Sequence, residues 1–149
     1  MRANWRLLVI SMLAAIVLSV LIRPPSSANA GFDTTSPKHS EVSVLTNDYQ
    51  VGLSNQFILA IRFRDQYKFN DQYPARVKIL GAPRLIKHSN HYGKDHFIKE
   101  GKYILIPITF AAIAQGREKV MVNIRYSVCN EQECALENVD YSVELEIHE

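Results

Sequence analysis

The chain has 149 residues, of which 47% are hydrophobic, with 17 lysines and arginines against 15 aspartates and glutamates. This length is enough for one domain with a hydrophobic core. Three of the basic residues lie in the first 30, so residues 31–149 carry 14 basic against 15 acidic side chains. Such a balance excludes the strongly basic surface that binds nucleic acid, and we expect no nucleic-acid partner.

The first 30 residues predict an export signal. Arg2 and Arg6 precede a nearly unbroken apolar run of 16 residues, 7–22, and Ala28-Asn-Ala30 provides a cleavage site of small residues. We therefore predict a signal peptide over 1–30 and a periplasmic protein, with no stable membrane insertion after cleavage. The alternative is an uncleaved inner-membrane anchor over 7–22, although a span needs about 20 apolar residues.

The remaining chain predicts β-strands, with residues 31–40 as a flexible lead-in and residues 41–149 as one domain. Alternating apolar residues indicate strands at 42–44, 57–63, 77–79 and 103–110. Pro107 predicts an edge position or a bulge within its strand. Residues 84–101 are mixed and polar, which predicts a long loop, and residues 111–115 suggest a helical turn that Gly116 ends.

The last two strands have the clearest pattern. Apolar and polar residues alternate over 120–128 and again over 139–147. This alternation is typical of antiparallel sheets that expose one face to water. Short strands separated by turns predict an all-β sandwich. If the alternation continues to its end, Cys129 lies on the exposed face.

Cys129 and Cys134 are the chain's two cysteines, and they lie between these last strands. In an exported protein an even number of cysteines predicts a disulfide. A ring of six residues stabilises a fold by about 2 kcal/mol, so a structural and a redox role both remain open. The C-x4-C spacing and the absence of a βαβ pattern exclude a thioredoxin. The carboxylates of Glu131 and Glu133 are expected to raise the pKa of nearby thiols, so a docked partner would have to activate the pair.

Three segments resemble one known family. They are Tyr126-Ser-Val-Cys129-Asn-Glu-Gln-Glu-Cys134-Ala-Leu136, Ser89-Asn-His-Tyr-Gly-Lys94 and Asp65-Gln-Tyr-Lys-Phe69. Over residues 41–147 the chain is similar to the N-terminal periplasmic domain of the disulfide reductase DsbD family. The resemblance implies an immunoglobulin-like antiparallel β-sandwich that exchanges thiols and disulfides and needs neither a cofactor nor a metal.

The resemblance also implies roles for individual residues. Cys134 would attack a partner disulfide and Cys129 would resolve the mixed disulfide. A cap loop would shield the pair, and further residues would line the site or the docking surface. The cap-loop residues are His91, Tyr92, Gly93 and Lys94, and the lining residues are Tyr67, Phe69 and Tyr126. The family has phenylalanine where this chain has His91, which would make the shield more polar.

The implied partners are a membrane electron donor and periplasmic thioredoxin-like proteins. Two other interpretations belong to different functional classes. One is a non-catalytic immunoglobulin-like binding module with a structural disulfide. The other is a copper or haem assembly protein that uses Cys129, Cys134 and His91 as ligands. The group of His88, His91 and His96 has no regular ligand spacing and predicts a solvated loop rather than a metal site.

Overall fold

A computed structural model describes residues 37–149, so the predicted signal peptide and most of the predicted lead-in lie outside the described residues. The strands are β1 (Ser40–Leu45), β2 (Tyr49–Gln50), β3 (Ser54–Phe63), β4 (Lys68–Phe69), β5 (Arg76–Leu80), β6 (Ile86–His88), β7 (His91–Tyr92), β8 (Ile98–Glu100), β9 (Tyr103–Ala112), β10 (Gly116–Cys129) and β11 (Cys134–His148). A 3-10 helix covers Lys94–His96. In this part of the chain, no helix has the length and apolar character to cross a membrane.

The strands form two sheets. One has the order β1-β3-β9-β6, with β8 also paired to β9. The other has the order β2-β11-β10-β5-β7, with β4 also paired to β10. All pairs are antiparallel except the short β2–β11 pair. The predicted all-β, immunoglobulin-like antiparallel sandwich is confirmed.

The core lies between the two sheets and follows the predicted alternation. On the first sheet the buried positions are every second residue of β3 and β9, and on the second sheet they are every second residue of β10 and β11. The fully buried side chains include Phe57, Leu59, Ile61, Ile104, Ile106, Val120, Val122, Ile124 and Tyr126. Burial of this apolar surface is the main force that holds the sheets together.

β10 and β11 form the longest hairpin of the fold. Their register runs without interruption from Gly116 opposite Ile147 to Cys129 opposite Cys134. The hairpin therefore carries its apolar face in the core and extends its turn, residues 130–133, beyond the buried region. This extension places the two cysteines at one end of the sandwich.

Two predictions about segments between strands are wrong. Residues 84–101 are not one long loop, because they contain β6, β7, the 3-10 helix and β8. Residues 111–115 do not form a helical turn, because β9 continues to Ala112. Strands of two or three residues are too short to show the alternation that identifies a strand in sequence. β1 begins at Ser40, the last residue of the predicted lead-in.

Pro107 occupies the kind of position that its sequence context predicts. It lies opposite Ile58 of β3. On its other side, β8 pairs with residues 103–105 and β6 pairs with residues 110–112. Within residues 37–149, no strand pairs with Pro107 on that side, and such a local edge is where a sheet tolerates proline.

Candidate functional site

Cys129 and Cys134 form a disulfide across the end of the β10–β11 hairpin. A tight turn brings them opposite each other. The Asn130 amide donates to the Glu133 carbonyl at 2.9 Å, and the Asn130 side-chain oxygen accepts from the amides of Gln132 and Glu133, both at 2.8 Å. Because an Asx turn of this kind organises its own backbone, the turn has a hydrogen-bonded geometry independent of the disulfide.

The cysteines occupy a position where the two strands are closest. Asn130 and Glu133 are a hydrogen-bonded pair, and paired positions alternate along an antiparallel ladder, so Cys129 and Cys134 are a non-hydrogen-bonded pair. Their Cα atoms are 4.0 Å apart. The predicted register is confirmed, because Val128 is fully buried while Cys129 is half-buried and Cys134 is exposed.

β4 lies on the other side of Cys129. Lys68 is directly opposite Cys129, and Phe69 is opposite Val128. Lys68 is exposed and shares the outer face of the sheet with Cys129, whereas Phe69 is buried and stacks on Phe63 and Phe97, with ring centroids 6.5 and 5.7 Å apart. Side chains opposite each other on a sheet have Cβ atoms about 5 Å apart, so the Lys68 side chain begins next to that of Cys129.

Lys68 is the site residue that the spacing of the sequence does not reveal. The turn itself has acidic residues and no basic ones. Lys68 belongs to β4, about 60 residues earlier in the chain, and the pairing of β4 with β10 places it opposite Cys129. A nearby cation lowers the pKa of a thiol and a nearby carboxylate raises it. The two cysteines therefore have different neighbours: Cys129 has Lys68 opposite it on β4, and Cys134 follows Glu133 in the chain.

Tyr67 connects this site to the turn. Its hydroxyl donates to a carboxylate oxygen of Glu133 at 2.9 Å, and its ring packs against that of His39 with centroids 4.3 Å apart. The hydrogen bond to Glu133 is the largest cause that raises the pKa of the Tyr67 phenol above 10.0. Tyr67 therefore contacts the cysteine turn, and its predicted role in lining the site stays a prediction.

Glu137 holds the start of the described chain against β11. Its buried carboxylate accepts from the His39 amide at 3.0 Å and from the Lys38 amide at 3.3 Å, and it contacts the His39 ring nitrogen Nδ1 at 2.9 Å. Two backbone amides and an imidazole satisfy the carboxylate, which removes most of the penalty for burying it.

Tyr126 lies below the site rather than on its surface. It is fully buried, and its hydroxyl is 2.6 Å from the hydroxyl of Ser40. Burial is the main cause that raises the pKa of the Tyr126 phenol well above its ordinary value. Its side chain packs within the core that supports the cysteine end of β10.

The segment from His91 to Lys94 lies in a different part of the sheet. Tyr92 is opposite Val77 of β5, is buried, and donates its hydroxyl to the Thr109 carbonyl on the other sheet at 3.0 Å. Gly93 precedes the 3-10 helix in which Lys94 lies. His91 is exposed and is opposite Lys78.

The sheet register shows how far this segment is from the cysteines. Lys78 is opposite Asn123 of β10, which precedes Cys129 by six residues. At about 3.3 Å per residue, His91 lies about 20 Å from Cys129 along the strand direction. In this conformation Tyr67 and Lys68 lie beside the cysteines and His91 to Lys94 do not; shielding by His91, Tyr92, Gly93 and Lys94 stays a prediction. No cluster of three or more His, Cys, Asp or Glu side chains suited to a metal is present in residues 37–149.

A surface cleft of about 720 Å³ opens beside the disulfide. Its lining includes Cys129, Lys68 and Gln66, and the acidic Asp71 and Glu131. Gln66 has a φ of 75°, a left-handed conformation that is uncommon for a residue with a side chain and that marks strain in the β3–β4 turn. Cys129 therefore borders a cleft, whereas Cys134 does not line it and is exposed.

No family model and no curated protein matches this chain. Two solved structures are similar to it. AggA, the major subunit of aggregative adherence fimbriae type I from Escherichia coli, has a TM-score of 0.38 at 13% identity and covers 74% of this chain and 97% of its own. The CooA pilin subunit from enterotoxigenic Escherichia coli has a TM-score of 0.31 at 8% identity and covers 72% of this chain and 99% of its own. At these TM-scores and identities the similarity assigns neither a family nor a function.

Proposed function

We propose that this protein is an exported, periplasmic thiol–disulfide exchange protein that relays reducing equivalents through Cys129 and Cys134. The observation that carries the proposal is the position of the disulfide. It lies outside the core, at the end of a hairpin, between a cleft and an open strand. A disulfide whose role is to hold a core together is usually surrounded by the core, whereas an exchanging disulfide must be reached by another protein.

The hairpin does not depend on the disulfide for its register. Fourteen residue pairs connect β10 and β11, and their apolar face is buried between the sheets. The turn also has its own hydrogen bonds from Asn130. A covalent ring of six residues adds about 2 kcal/mol to this arrangement. These features support a redox role over a structural one.

The order of attack follows from the exposure of the pair, since Cys134 is exposed and Cys129 is half-buried; a docked partner must offset the effect of Glu133 on the Cys134 thiol. The Cys134 thiolate attacks one sulfur of a partner disulfide, forms a mixed disulfide, and releases the other partner sulfur as a thiolate. Cys129 then attacks the Cys134 sulfur, which forms the intramolecular disulfide and releases the second partner thiolate. The exposed Cys134 can be reached by a partner, and Lys68 favours the thiolate that Cys129 needs for the second step.

The partners in this proposal are a membrane protein that reduces the Cys129–Cys134 disulfide and periplasmic thioredoxin-like proteins that receive the electrons. No cofactor takes part, because the electrons stay on sulfur. The competing function is an immunoglobulin-like binding module in which the disulfide is structural.

The test is the redox equilibrium of the full chain against glutathione and dithiothreitol, with the free thiols trapped at each ratio. A reduction potential above about −300 mV supports exchange, and a lower value supports the structural role. A Cys129→Ala variant should accumulate mixed disulfides through Cys134, and a Cys134→Ala variant, as the matched control, should accumulate far fewer. Equal trapping by the two variants would contradict the proposed order of attack.

A further inference from the structure

One side of β11 is open next to the reactive cysteine. β10 covers one side of the strand along its whole length, whereas β2 covers the other side only at Ile147 and His148. In residues 37–149 no strand pairs with that second side between Cys134 and Glu146. An unpaired strand edge of this length is a template for the addition of another strand.

Two hydrogen bonds show which backbone groups face this open side. Asn130 and Glu133 form a hydrogen-bonded pair at the turn, and the Ser127 carbonyl accepts from the Asn70 amide, which lies on the side of β10 away from β11. Since positions alternate along the ladder, the pairs Ser127–Leu136 and Cys129–Cys134 are both non-hydrogen-bonded. The N–H and C=O groups of Cys134 and Leu136 therefore point away from β10, towards the open side.

The side chains along this edge favour contact rather than repulsion. Leu136 is 65% exposed, more than the other exposed large hydrophobic residues in the described chain. It lies two residues from Cys134 and so shares its face of the sheet. Protein edges are commonly protected by lysine, proline, a bulge or an inward-pointing charge, and residues 134–138 contain only the last of these, Glu137. The carboxylate of Glu137 faces inward and is bonded to His39.

The spacing of an added strand suits disulfide exchange. Residues that form a hydrogen-bonded antiparallel pair have Cα atoms about 5.5 Å apart. Disulfide-bonded cysteines have Cα atoms about 4.4 to 6.8 Å apart. A cysteine opposite Cys134 in an added strand would therefore lie within the range of a mixed disulfide without a change in the backbone of β11.

We propose that the open side of β11 from Cys134 to Asn138, here called the docking edge, binds an extended cysteine-bearing segment of the exchange partner as an additional strand. The segment pairs with the backbone of Cys134 and Leu136 and places an apolar side chain on Leu136. The exposed carboxylates of Glu131 and Glu133 at the turn favour a neutral or basic segment over an acidic one. This inference rests on the proposed function, because it describes how a partner reaches Cys134.

The test uses the full chain with Cys129→Ser, reduced, and a synthetic peptide Lys-Val-Thr-Val-Cys-Val-Thr-Val-Lys whose cysteine is joined to 2-nitro-5-thiobenzoate. The Cys134 thiolate attacks the peptide sulfur, a new disulfide forms, and coloured thionitrobenzoate leaves. Two further peptides have N-methyl groups on one or the other alternate set of backbone amides. In an added strand only one alternate set of amides donates hydrogen bonds to β11. The peptide methylated on that set should react about tenfold more slowly than the unmodified peptide, and the other methylated peptide should react at the unmodified rate.

Two proline variants test the protein side of the docking edge. Leu136→Pro removes an outward N–H next to Cys134, and Ser142→Pro removes an outward N–H farther along the same edge. Leu136→Pro should slow capture of the unmodified peptide about tenfold, and Ser142→Pro should leave the rate unchanged. Far-UV circular dichroism shows whether each variant folds, and the methylated peptides test the proposal even if neither does.

A small disulfide reagent distinguishes a failure of the docking-edge proposal from a failure of the proposed function. The mixed disulfide of mercaptoethanol and thionitrobenzoate has the same leaving group and no peptide backbone. Suppose that Cys134 reacts readily with this small disulfide, but that both methylated peptides react at the same rate as the unmodified one. The proposal that the docking edge binds a partner strand is then contradicted, while the proposed thiol–disulfide exchange is not. If Cys134 reacts with neither reagent, both proposals fail.

Discussion

β4 and β7 are both two-residue strands that widen the second sheet, and each brings a tyrosine with it, but the two tyrosines have different surroundings. Tyr92, in β7, is buried and its hydroxyl donates to the Thr109 carbonyl of the opposite sheet. Tyr67, directly before β4, is half-exposed and its hydroxyl donates to Glu133 in the cysteine turn. One tyrosine connects the two sheets and the other contacts the candidate site.

The position of each strand along the sheet explains the difference. β7 pairs with the part of β5 that lies opposite the middle of β10, where both sheets are packed together. β4 pairs with the last two residues of β10, where the sandwich ends. A tyrosine near the middle of the sandwich contributes to stability, and one near its end is available to interact with the disulfide and its turn.

The largest expected effect is on stability. Tyr92→Ala should lower the free energy of unfolding by about 3 kcal/mol or more, because it removes a buried ring and leaves a cavity between the sheets. Tyr67→Ala should lower it by less than about 1 kcal/mol, because its ring is half-exposed. Urea unfolding followed by circular dichroism measures both. Equal losses would remove the distinction between the two tyrosines.

Loss of the disulfide should have an intermediate effect. Replacing both Cys129 and Cys134 by alanine should lower the free energy of unfolding by about 2 kcal/mol, since the ring spans six residues. The cysteine end would then contribute less to stability than Tyr92 does. A loss above about 4 kcal/mol in the same urea experiment would indicate a structural disulfide and would weaken the proposed exchange.

The alternation of residues was sufficient to predict the two long strands and their buried faces. Over 120–128 and 139–147 each apolar residue meets the opposite sheet, so a pattern of period two determines both strand identity and face. β4, β6, β7 and β8 have two or three residues each, and their pairing depends on the strands beside them rather than on their own sequence. Their positions could not be predicted from local pattern.

The residues of the candidate site also differ in whether the local sequence could predict their positions. Cys129 could be placed on the exposed face from the sequence, because it ends an alternating strand. Lys68 could not, because its place beside Cys129 depends on the pairing of β4 with β10. The similarity of residues 89–94 to a cap loop predicted a shielding role for Tyr92, which in the structure packs between the sheets, about 17 Å along the strand direction from Cys129.

Removing only the hydroxyl groups of Tyr92 and Tyr67 tests whether their hydrogen bonds contribute differently to stability. Tyr92→Phe should lower the free energy of unfolding by about 1 to 2 kcal/mol, because it leaves the Thr109 carbonyl without this donor. Tyr67→Phe should change it by no more than about 0.5 kcal/mol. Thermal unfolding of the two variants and of the unmodified protein measures both changes in stability. If Tyr67→Phe proves the more damaging change, the Glu133 contact is part of the folded core rather than of the site.

The smallest expected effect is on the titration of the two phenols. The pKa of Tyr67 is raised first by its hydrogen bond to Glu133, whereas that of Tyr92 is raised first by burial. Glu133→Gln removes the negative charge, so the pKa of Tyr67 should fall towards 10.0 while that of Tyr92 stays raised. Absorbance at about 295 nm follows the ionisation of all seven tyrosines, and difference titrations with Tyr67→Phe and Tyr92→Phe assign the two components.

The direction of the shift fixes the pH range of the Tyr67–Glu133 contact. Because the pKa of Tyr67 in the folded protein lies above 10.0, any stability from the contact is fully present below pH 10 and is lost as the pH rises through the raised value. At neutral pH the phenol is therefore a donor to Glu133 next to Cys134. If the titration is the same with glutamine at position 133, the contact is not formed in solution, and Tyr67 would resemble Tyr92 in having a pKa set by its surroundings alone.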